Sequence, residues 1–100
     1  MALGKRATKV VSVTTSAPTT PILAANAARI GYLIVNTGSY DVGLAEVSTV
    51  TADTASTGGQ IVKGATSPPD SLLDLIDGGP VYARATGGTT TLLVVEYLAN

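Results

Sequence analysis

The chain has 100 residues, of which 45% are hydrophobic and only 13% charged, with a formal net charge of −1 and no Cys, His, Trp or Phe. This allows one domain with one core, and it excludes disulfides, thiolate or imidazole metal sites and the side chains that most enzymes use as general bases or nucleophiles. Charge well below the usual ~25% leaves little to coat a lone small sphere, so part of the surface is expected to be covered by other subunits.

In chain order, residues 1–8 are expected to form a flexible basic arm, because Lys5, Arg6 and the following Lys9 all precede the first acid, Asp41. Such an arm suits an acidic protein neighbour, whereas three basic residues without a basic sheet face or aromatic platform make too weak a footprint for nucleic acid. The apolar stretch that follows is too short for a signal peptide or a membrane span, so a soluble protein made in the cytoplasm is expected. Residues 9–15, KVVSVTT, alternate as a first strand and open a single domain over residues 9–100. Pro18 and Pro21 confine residues 20–24 to an edge strand or strand start, since proline lacks the ladder N–H.

Asn26 and Arg29 bracket a turn or short corner before an apolar strand over residues 30–35. Residues 36–40, NTGSY, tolerate positive φ and can cap their own backbone, which predicts a hairpin or tight corner leading to a strand over 41–45. A looser piece at 46–50, a polar loop at 51–59, a short strand at 60–63 and a rigid loop at 64–70 with Pro68 and Pro69 come next. Residues 71–77, SLLDLID, read as a short strand or turn, although the leucines also fit a turn and a half of helix. Strands over 80–86 and 90–98 flank Gly87, Gly88 and Thr89, which read as a hairpin turn. About seven or eight short strands spaced by turn signals predict an all-β fold, an antiparallel β-sandwich of jelly-roll or immunoglobulin-like type.

The last strand is apolar on both faces, with Leu93, Val95 and Tyr97 on one and Leu92, Val94 and Leu98 on the other, broken only by Glu96. The strand over 30–35 repeats the pattern. One face suffices for a sandwich core, so the second is expected at a subunit contact, under a folded-over arm or beneath the chain's own loops; Tyr32, Ile34, Leu92, Val94 and Leu98 are assigned to the subunit contact. Asn26, Arg29, Asn36 and Gly38 are assigned to structural corners, where Asn and Arg can satisfy exposed backbone groups. Asp70, Asp74 and Asp77 form the one acidic cluster, but they lack a calcium-loop spacing and Ser71 to Asp74 fits a capping pattern. No metal, cofactor or catalytic residue is therefore expected.

The segments PILAANAARIGYLIVNTGS (residues 21–39) and GPVYARATGGTTTLLVVEY (residues 79–97) resemble small β-sandwich virion proteins of tailed bacteriophages, with an N-x-x-R corner leading into a strand that ends in N-x-G. The resemblance implies a non-enzymatic structural protein, most like a capsid decoration (cement) protein. Such a protein binds the outer surface of an icosahedral phage head as a homo-oligomer, commonly a trimer, with the major capsid protein as partner. The basic arm would then touch the shell. A tail, baseplate or head-fibre module, or a carbohydrate-binding adhesin domain, are the alternatives.

Overall fold

Two long apolar strands organise the molecule. β2 (Arg29–Asn36) and β7 (Thr90–Leu98) pair antiparallel, with Tyr32 opposite Glu96 and Asn36 opposite Leu92. Both are rich in Val, Leu and Ile, which suit a pleated, buried surface. The computed structural model describes residues 5–50, 60–74 and 78–99. In it, β1 (Lys5–Val13) joins the other side of β7 and β5 (Ser71–Asp74) the other side of β2, giving a four-stranded sheet in the order β1-β7-β2-β5. A three-stranded sheet packs beneath it, with β3 (Val42–Ala45) between β4 (Gln60–Val62) and β6 (Tyr82–Ala85). No helix occurs among the described residues.

The second sheet has a further station. Val81 turns its N–H and C=O to Leu23, and Ala85 donates its N–H to Thr14 O, so the chain before β2 runs along the free side of β6. With that bridge counted, every connection except β3 to β4 crosses from one sheet to the other. This is the path of a jelly roll, which decides between the two sandwich types expected. Tyr32, Ile34, Leu92 and Val94 project from the first sheet onto Val42, Leu44, Val62 and Val81 of the second, and together they form the core.

Buried polar side chains close both ends of the sandwich. Asn36, 1% exposed, donates through Nδ2 to Tyr40 O at 2.7 Å and Val62 O at 3.2 Å. Its Oδ1 accepts from Gly38 N and Thr90 Oγ1, each at 3.0 Å, so donors and acceptor are all engaged. Gly38 lies so close to Thr90 that a Cβ there would collide with the Thr90 side chain and backbone. At the other end Arg29 donates through Nε to Glu96 at 2.8 Å, through Nη1 to Gly79 O at 2.6 Å and through Nη2 to Ala24 O. Asn26 shapes the same corner by accepting Ala28 N on Oδ1 at 3.0 Å and Arg29 N on its carbonyl at 3.0 Å.

The structure departs from the sequence reading in two places. The first strand begins at Lys5, so Lys5–Thr8 of the expected arm pair with β7 and the strand is longer than its apolar pattern. Backbone pairing needs no apolar side chain, and β1 runs exposed from Lys5 to Val10, where nothing beneath it demands alternation. Residues 1–4 of the arm lie outside the described residues, as do the 51–59 loop and residues 75–77 with Asp77. The Gly87-Gly88-Thr89 turn joins β6 and β7, which sit in different sheets, so it is an arch and not a hairpin. The Tyr40 ring packs on this arch so closely that a Cβ on Gly88 would stand 2.6 Å from Tyr40 Cε2. Residues 71–74 are strand, as the sequence reading of a short strand or turn allowed, with Leu72 half-buried opposite Ile34.

Arg29→Met should lower unfolding stability by about 3–5 kcal/mol, because it leaves Glu96 part-buried without its ion-pair partner and removes the guanidinium's bonds to Gly79 O and Ala24 O. Arg29→Lys should recover only part of this, since a point charge cannot reach three diverging acceptors. Urea denaturation followed by circular dichroism measures both.

Candidate interaction surface

Register decides what each face of the four-stranded sheet displays. Residues directly opposite in an antiparallel pair share a face. Leu73, Leu33, Val95 and Thr8 form one row across the sheet, and Ser71, Val35, Leu93 and Val10 the next. Both rows point away from the core, because the alternate residues Tyr32, Ile34, Leu92 and Val94 fill it. Tyr97 and Arg6 extend the outer face at one end. At the spacing and rise usual for strands, four strands with a nine-residue β7 span roughly 19 Å by 30 Å. That is of the same order as the ~800 Å² one partner contributes to a standard protein interface.

The outer face is therefore apolar without a layer of this chain across it among the described residues. On this face Val95 is buried, Leu33, Val35, Leu93 and Tyr97 are half-buried, and Val10 and Leu73 are exposed, as is Ile30 at the β2 irregularity. These residues differ from most of those assigned to a subunit contact from sequence. Tyr32, Ile34, Leu92 and Val94 lie in the core of a single chain and cannot meet another subunit; Leu98 is half-buried between Lys5 and Arg29. Apolar content was equal on the two faces, so periodicity had no means of choosing between them. One signal could have: Asn36, taken as a corner residue, shares the parity of Tyr32 and Ile34 and marks that set as inward.

The basic residues assigned to shell contact all lie on β1. Lys5, Arg6 and Lys9 are exposed, with Arg6 on the outer face beside Tyr97 and the lysines on the opposite face. Several of the described acids are dispersed and engaged. Asp70 accepts the N–H of Lys63 at 2.9 Å, Asp41 accepts the N–H of Gly64 at 2.9 Å and faces Lys63 Nζ at 3.5 Å, and Glu96 holds Arg29. Asp74 lies opposite Tyr32 on the same face of the sheet and acts on its phenol. A sugar-binding face would need exposed aromatic platforms, but Tyr32 is buried and Tyr40 has the Gly87-Gly88 arch against its ring.

No protein-family model matches the chain, and no curated protein does. Among solved structures it is similar to a protein of Bacillus endospore appendages, described as a novel family of disulfide-linked pili. The superposition has a TM-score of 0.50 at 15% identity and covers 98% of this chain and 90% of the other. At that identity the likeness shows a shared β-sandwich fold.

Burial, followed by the charge and hydrogen bond of Asp74, pushes the Tyr32 phenol up to about 12. A raised phenol favours folding below its ordinary value of about 10, and the benefit is lost as pH rises through the folded value. Thermal stability should thus fall between about pH 10 and 12, and Tyr32→Phe should flatten that part of the profile. Melting temperatures across the range provide the check.

Proposed function

We propose that this chain is a non-enzymatic structural subunit that works by assembling with its own copies and docking on a larger protein surface. In its finer form it is a capsid decoration protein on the outside of an icosahedral phage head, a homo-oligomer with a trimer favoured, binding the major capsid protein. The observation that carries this reading is the apolar outer face of the four-stranded sheet, which no second layer of described residues covers. A surface of that extent costs solubility unless a partner occupies it. Arg6 at its end and Lys5 and Lys9 along its edge would meet an acidic shell.

Other features agree. Without His or Cys, and with Asp41, Asp70 and Glu96 tied into separate local bonds and Asp74 set opposite the Tyr32 phenol, the described residues hold no acid–base pair set for catalysis. The phage-like segments, residues 21–39 and 79–97, contain the Arg29 corner, Asn36 and the whole outer face of β2 and β7 up to Tyr97. A second reading is a subunit of an extended appendage, tail or fibre, favoured by the pilus-type structural neighbour. This chain has no cysteine, so an appendage built from it would be held without disulfides.

Leu33→Lys, at the centre of the outer face, should leave the melting temperature nearly unchanged, because its side chain is outside the core. It should release single chains of 10.0 kDa from an assembly whose mass is a multiple of that value in the wild type. Light scattering measures the mass. A wild-type protein that is a single chain at micromolar concentration, or an unchanged assembly in the variant, would count against the reading, and antibody labelling of the intact particle separates head from tail or appendage.

A further inference from the structure

The sheet order leaves β1 and β5 as the two edges of the four-stranded sheet, each with one side of its backbone unpaired among the described residues. Every neighbouring pair in that sheet is antiparallel, so β1 and β5 run in opposite directions. A second copy placed alongside without being turned over thus offers its β5 antiparallel to β1, and the sheet can continue from one chain into the next. Exposed edges of this kind are templates for strand addition.

The side chains select a register. Among the described residues Val10 and Leu73 are the most exposed of the large hydrophobics, at 68% and 59%, and they lie on the same face at opposite edges. Lys9 and Asp74 lie on the other face, again at opposite edges. Setting Lys9 against Asp74 of the next copy also sets Val10 against Leu73, Val11 against Leu72 and Ser12 against Ser71. Each pair joins like polarity or opposite charge and keeps both faces continuous. Sliding by two residues in one direction puts Ala7 against Asp74 and Lys9 against Leu72; sliding in the other puts Val11 against Asp74. Both spoil the match.

Self-pairing of like edges is opposed by charge. β1 against β1 would crowd Lys5, Arg6 and Lys9 of two copies together, and β5 against β5 would crowd Asp70 and Asp74. The geometry points to one contact between copies: β1 of one chain adds antiparallel to β5 of the next, Lys9 facing Asp74 and Val10 facing Leu73. This contact is heterologous, so it closes into a ring where the rotation permits and otherwise runs open. The inference rests on the assembly reading above and adds to its outer-face contact a second one, by which copies join edge to edge.

The absence of cysteine makes the test clean. Val10→Cys and Leu73→Cys replace exposed side chains and should melt as the wild type does. Mixed and mildly oxidised, the two variants should give a disulfide-linked dimer, and neither should do so alone. The double variant should give a ladder. Lys9→Asp and Asp74→Lys should each weaken association by roughly tenfold or more, and the double exchange should restore it. Cross-linking by Val10→Cys alone would assign β1 to a like-with-like contact and overturn the inference. Absence of a cross-link in the mixture, with wild-type protein still oligomeric, would overturn it while leaving the assembly reading standing; a wild-type single chain would remove both.

Discussion

The antiparallel pairing of β2 with β7 is the contact from which the rest of the molecule follows. It fixes which alternate residues point inward: Tyr32, Ile34 and Asn36 on one strand, Leu92, Val94 and Glu96 on the other. The irregularity between Arg29 and Gly31 then changes the parity. Without it Arg29 would share the face of Leu33 and Val35; with it the guanidinium turns inward to Glu96, and Ile30 is left exposed. One bulge therefore delivers the buried charge to its partner. The same guanidinium also binds Gly79 O and Ala24 O, so the register of two strands determines how the segments before β2 and β6 are fastened.

The two ends are closed by different chemistry for the same reason. Where the chain crosses from one sheet to the other, backbone groups leave the ladders and need other partners. At one end Asn36 satisfies Tyr40 O, Val62 O and Gly38 N with a neutral amide. At the other, carbonyls from two separate segments converge, and only a forked cation with several donors reaches both and a carboxylate. Without disulfides, these two side chains and the aliphatic core carry the specificity of the crossings.

Much of this architecture was legible in the sequence. The Val- and Leu-rich alternation of 30–35 and 90–98, the proline limits at 18 and 21, and the turn residues at 36–40 have local causes, and β2, β7, the single Leu23 bridge and the corner at Asn36 stand where those causes act. What escaped depends on contacts distant in sequence. Residues 5–8 pair with β7 through backbone alone, so nothing in their side chains announces a strand. Gly87 and Gly88 look the same in a hairpin and in an arch, because the difference lies in where β6 and β7 find partners. The inward face of a doubly apolar strand is likewise invisible to periodicity. It becomes readable only through residues whose burial has a separate reason, such as Asn36 and Thr90.

A sheet with two apolar faces and one covering layer carries a standing tension between folding and association. Moving an outer-face leucine from half-buried to buried is worth of the order of 1 kcal/mol, so a few such side chains acting together suffice for association at micromolar concentration once ordering costs are met. Excess apolar surface alone would make that association indiscriminate. Direction has to come from the edges, where β1 bears Lys5, Arg6 and Lys9 and β5 bears Asp74, with Asp70 just before it. These charges contribute little binding energy in water, but each like-charge arrangement they oppose is one fewer way for copies to stick. On the proposed assembly, apolar rows supply affinity and edge charges supply register, and because no cysteine is available to lock the product, the contact stays reversible and responsive to salt.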